Sequence, residues 1–84
     1  MIDTDPRVVQ YLFSEYKKTK TAIGLERVQA ALRRYIQGQA CLPSLFRPLS
    51  QYDRAWLANI ALGVSKDNIA AFRWLRSQSY RTVA

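Results

Sequence analysis

Residues 54–73 read Arg54-Ala55-Trp56-Leu57-Ala58-Asn59-Ile60-Ala61-Leu62-Gly63-Val64-Ser65-Lys66-Asp67-Asn68-Ile69-Ala70-Ala71-Phe72-Arg73. Apolar residues recur at three- and four-residue steps on both sides of a Gly-Val-Ser interruption, which is the pattern of two helices and a tight turn. Gly63 is expected to take the positive φ of that turn. Val64 is expected to pin the turn to the core, and Ser65 to cap the second helix. Ala58 and Leu62 before the turn, with Ile69 and Phe72 after it, supply the apolar contacts that hold the pair crosswise.

Working outward, Ser50 and Asp53 have capping-box spacing and open a helix over 50–62. The helix after the turn is expected over 65–80, with Leu75 also facing inward. Upstream, Asp5-Pro6 reads as an N-cap followed by a first-turn proline, and Val8, Val9, Leu12, Phe13 and Tyr16 give a helix over 5–19. Lys17, Lys18 and Lys20 stand near its negative end. Leu25, Val28, Leu32, Tyr35 and Ile36 predict a second helix over 21–37, with Gly38 as a left-handed cap. Between them and the quoted stretch, 38–49 carries Pro43 and Pro48 and is expected as an irregular lid with room for one short turn around 44–47. Leu42, Leu45, Phe46 and Leu49 should hold this lid on the core, with Cys41 as a small buried residue. The fold class is all-α: a compact single-domain bundle of about four helices spanning 1–84.

The composition limits what such a bundle can do. The chain has 84 residues, 49% of them apolar, with thirteen Lys or Arg against six Asp or Glu and a formal charge of +7. That excess favours anionic partners: nucleic acid, an acidic protein surface, or an anionic membrane face. A solvated surface that only keeps the protein in solution is the alternative. Histidine is absent and Cys41 is the single cysteine. There is no imidazole base for a serine nucleophile, no thiol–imidazole pair and no Gly-rich phosphate loop, and the acids are scattered. The expectation is a binding protein, not an enzyme, with neither metal nor cofactor. The acidic segment Met1 to Asp5, followed by Pro6, does not read as a secretory signal. No apolar run approaches the roughly 20 residues of a membrane span. A cytoplasmic protein with no membrane partner is expected.

Leu62-Gly63-Val64-Ser65, followed by Ile69, resembles the turn of helix-turn-helix DNA-binding proteins. The resemblance covers about residues 54–73; the family favours a small residue four places before the turn glycine, where this chain has Asn59. It implies that helix 65–80 enters the major groove with Lys66, Ala70, Arg73 and Ser77 outward. Arg73 would pair with guanine, and Lys66 would reach a base edge or a phosphate, with Asn68 turned inward. Arg54, Arg76 and Arg81 would grip the DNA backbone, and a homodimer reading paired half-sites is implied. Arg27 and Arg34, seven apart with Arg33 beside them, form a stripe that suits phosphates or plain solvent equally. Trp74 and Phe46 are candidate protein-interface residues, although Trp74 can instead pack on the lid or on Tyr80. Two functions follow: a small DNA-binding regulatory protein, or an adaptor or inhibitor docking on a larger macromolecular machine. RNA binding and membrane-surface binding rank behind both.

Overall fold

A carboxylate just ahead of a helix can accept one of the backbone N–H groups that the first turn leaves unpaired. In the structure, a computed structural model describing residues 5–38 and 41–80, Asp5 does this for Arg7 N at 2.9 Å. Pro6 fills the first turn, and α1 runs Pro6–Thr19. It ends on Lys20, whose backbone is left-handed (φ 51°, ψ 36°) and whose N–H bonds to the Tyr16 carbonyl at 2.7 Å. Thr21 then caps α2, Ala22–Gln37, accepting from Gly24 N at 3.0 Å. Gly38 closes α2 with φ −73°, so the expected left-handed cap is not used there.

The proline-bearing lid is more regular than expected. Residues Leu42–Phe46 form a short helix, α3, because Pro43 falls in its first turn, where a missing N–H costs nothing. Leu45 and Phe46 are fully buried, so the segment lies on the core as expected. Cys41, expected to be buried, is exposed at the head of α3. Its carbonyl accepts a 2.6 Å hydrogen bond from the hydroxyl of buried Tyr35. Burial raises the pKa of that phenol above its ordinary value, and the nearby Cys41 and Asp5 charges act in the same direction.

Helix α4 spans Gln51–Leu62, with Ser50 Oγ accepting from Asp53 N at 3.2 Å. Only that half of the capping box forms; the Asp53 carboxylate turns to Lys17 at 2.7 Å and ties α4 to α1. The connection that follows covers 63–68, and α5 runs Ile69–Tyr80. The described residues are all-helical apart from their connections. Helix α1 pairs with α2, and α4 with α5, around one core of Val9, Phe13, Val28, Leu32, Tyr35, Leu45, Phe46, Leu57 and Leu75. Ala58, Ala61 and Ala71 are buried too, and side chains of one carbon let α4 and α5 approach closely.

The start and facing of α5 differ from expectation. Gly63 has φ −66° and needs no glycine-only conformation. Val64 does pack against the core. Ser65 is buried and its hydroxyl donates to the Leu62 carbonyl at 3.4 Å, so it does not cap a helix. Lys66 and Asp67 form a further turn closed by Asn68 N to the Ser65 carbonyl at 3.0 Å. Asn68 is the residue that caps α5, accepting from Ala71 N at 3.1 Å. Ile69, expected inside, is 69% exposed, whereas Ala71 and Leu75 are buried. The helix is rolled toward Trp74, whose ring stacks edge-on against Phe46 at 5.3 Å. An indole offers more apolar area than an isoleucine, so its burial decides the roll.

Candidate nucleic-acid interface

Charge is unevenly shared along the chain. Residues 1–26 hold four Lys or Arg and four Asp or Glu, whereas 27–84 hold nine against two, so the whole formal excess of +7 lies in the later part. The ion pairs sharpen this split, since each draws its cation from α1: Arg7–Asp5 at 3.0 Å, Lys17–Asp53 at 2.7 Å and Lys18–Glu15 at 3.5 Å. Arg27, Arg33, Arg34, Lys66 and Arg73 are exposed and form no ion pair among the described residues.

Two of these, Arg33 and Lys66, belong to one region. Arg33 and Gln37 of α2 line a depression of about 270 Å³ together with Val64, Ser65, Asp67 and Asn68 of the α4–α5 connection. Lys66 stands exposed in that connection, and Arg73 follows one turn into α5 on its outer side. Asp67 is the acid within this cationic cluster. Ala70, Arg76 and Ser77 are exposed along the outer side of α5, with Ser77 Oγ donating to the Trp74 carbonyl at 2.7 Å. The helix Ile69–Tyr80 contains no acidic residue. Arg33 was left outside the principal site residues by sequence reasoning; the excess of cations after residue 26 was the signal that could have included it.

Other expected site residues are placed elsewhere. Lys66 precedes α5 by three residues and therefore does not lie on its outer face. Arg54 is half-buried: Nε donates to the Phe46 carbonyl and Nη2 to the Arg47 carbonyl, both at 3.1 Å. Its guanidinium closes the C-terminal end of α3 and is occupied within the fold. Arg27 and Arg34 lie roughly 100° or more around α2 from Arg33, at 100° per residue, and are not gathered with Lys66. Arg81 lies outside the described residues. Phe46 is 1% exposed and cannot serve as an interface residue. Trp74 is half-buried against it, in line with the packing alternative. Asn59, where the resemblance favours a small residue, is exposed on α4 and accepts from Ser79 Oγ at 2.6 Å, tying α4 to the far end of α5.

The connection of six residues, 63–68, exceeds the three or four of a tight helix-turn-helix junction. Comparison of the chain with protein-family models, curated proteins and solved structures finds no match. No helix of the described residues is long and apolar enough to cross a membrane. Among those residues no three potential ligands cluster where a metal ion could be held.

Proposed function

We propose that this protein is a small regulatory protein that binds DNA, acting by association and not by catalysis. The observation that carries the reading is that Arg33 beside the α4–α5 connection, Lys66 within it and Arg73 on α5 are solvent-exposed and form no ion pair among the described residues, while the cations of α1 are neutralised. Helix α5 is the element offered to the major groove, and it begins at Ile69. Lys66, on the turn ahead of it, meets a phosphate, as does Arg33 from α2. Arg73 is the residue that reads a base edge, and exposed Ile69 suits a thymine methyl group.

Two phosphate-neutralising cations, Lys66 and Arg33, give a log–log salt slope near −1.8, so affinity for duplex DNA should fall roughly 12-fold between 50 and 200 mM salt. Fluorescence anisotropy on a pool of random duplexes measures this. Arg73→Ala should remove any sequence preference, whereas Lys66→Ala should flatten the slope by about one. Absence of binding at 50 mM salt, or an affinity indifferent to salt, would overturn the reading.

One observation favours an adaptor function as a second reading. Ile36, Leu42, Pro43, Ala70, Ala71 and Trp74, with Asn68, line a mainly apolar groove of about 450 Å³, and Ile69 is exposed at the start of the same helix. On this reading a pull-down returns one defined protein despite nuclease treatment, and Ala70→Glu abolishes its recovery.

A further inference from the structure

Left-handed backbone is open to glycine without steric penalty and disfavours other residues. At the end of α1 the chain nevertheless has Lys20, the single non-glycine residue with positive φ among those described. Unlike Lys17 and Lys18, it has no carboxylate partner among the described residues. Its side chain instead lines a groove of about 550 Å³ with Tyr52, Ala55, Trp56 and Asn59.

The groove follows the outer stripe of α4. Tyr52 and Trp56 are one turn apart and so share a side of the helix. Tyr52 is 77% exposed, a large ring that the core leaves unused. Trp56 is held edge-on by Phe13 at 5.5 Å and Tyr16 at 5.9 Å, which fixes its ring in the groove wall. Asn59 accepts through Oδ1 from Ser79, leaving its amide N–H groups to donate. Two aromatic surfaces, an amide donor and an unpaired ammonium thus surround one open space.

We propose that this groove holds one unstacked nucleotide of a DNA strand. The base lies on Tyr52 and Trp56, its edge accepts from Asn59 Nδ2, and a phosphate meets the Lys20 ammonium. Stacking on aromatic rings suits any base, and a neighbouring cation suits the backbone that carries it. An apolar peptide would leave Lys20 and Asn59 without counterparts. The inference rests on the nucleic-acid reading above and adds a base-contacting subsite beside the far end of α5, to which Asn59 is bonded.

The test compares two single strands of equal charge, (dA)8 and an eight-unit abasic strand of the same phosphate count, by anisotropy on the full chain. The base-bearing strand should bind about tenfold more tightly, and Tyr52→Ala should erase most of that margin. Because Tyr52 is exposed, the substitution leaves folding intact. Lys20→Gly separates the subsite from stability: it should weaken (dA)8 binding severalfold while raising the thermal midpoint by about 3 °C, since the left-handed strain is relieved. Equal affinity for the two strands, or a margin that survives Tyr52→Ala, overturns the subsite. If duplex DNA is still bound in that case, the DNA-binding proposal stands; if no nucleic acid of any kind binds, both fall.

Discussion

Replacing Arg54 with alanine separates a cation that builds the fold from one offered to DNA. In the structure its guanidinium donates to the Phe46 and Arg47 carbonyls at 3.1 Å each, closing α3 over the core. Hydrogen bonds from a charged donor contribute about 1.5–3 kcal/mol apiece when buried. Here the Arg47 carbonyl is open to solvent, and water replaces part of what is lost. The two together are therefore worth about 2 kcal/mol. For a domain of this size each kcal/mol moves the thermal midpoint by about 4–8 °C, so Arg54→Ala should lower it by about 8–16 °C. Lysine at this position reaches one carbonyl but not both and should recover about half of the loss. Differential scanning fluorimetry reads the midpoint, and anisotropy below the transition reads duplex affinity, which should change less than about twofold. Arg73→Ala should give the reverse pattern: a midpoint within about 2 °C of the parent and a clear loss of affinity. An Arg54→Ala protein that melts with the parent yet no longer binds DNA would refute the assignment of this guanidinium to α3.

Gly63→Ala should stabilise the protein by about 0.5 kcal/mol, because φ is −66° and an added Cβ meets only the Ile60 carbonyl at 3.4 Å. A urea midpoint below that of the parent would show that the turn needs glycine after all. Tyr35 bears on alkaline stability. In the unfolded chain its phenol ionises near the ordinary value of about 10, whereas in the fold it keeps its proton to higher pH. Its contribution is thus complete below about pH 10 and is lost as pH rises beyond that. Urea titrations from pH 8 to 11 should show parent stability falling more steeply than that of Tyr35→Phe, and parallel curves would disprove the linkage. Asp53→Asn keeps the backbone N–H bonded to Ser50 but removes the charge facing Lys17. It should cost about 0.5–1 kcal/mol at low salt, and less at 1 M salt. A cost that does not respond to salt would mean that the pair acts through packing.

Much of the all-helical architecture was legible from local chemistry. Asp5, Thr21 and Ser50 each begin a helix because a side-chain oxygen within three residues of an unpaired N–H needs nothing beyond its own segment. The three- and four-residue apolar steps likewise identify the inner sides of α1 and α2, with Val9, Phe13, Val28, Leu32, Tyr35 and Ile36 all buried, although Val8, expected on the same face, is exposed. The excess of cations after residue 26 is also visible in the bare chain, and Arg33, Lys66 and Arg73 all belong to it.

Tertiary structure decided the rest, at places where neighbours on the chain give equal support to two outcomes. Ser65 and Asn68 are both competent caps; Ser65 is lost to that role because its hydroxyl is drawn into the core, which moves the start of α5 to Ile69. Ile69 and Trp74 both ask for burial, and the wider indole prevails because Phe46, 28 positions earlier, supplies a ring to pack on. Arg54 could serve solvent, DNA or the protein until α3 presents two carbonyls to it. Lys20 and Tyr52 face one groove only because Phe13, Tyr16 and Lys17 near the end of α1 meet Trp56 and Asp53 of α4. Capping and periodicity are set by a few adjacent residues, whereas competition for one shared interior is settled only when all the helices are in place.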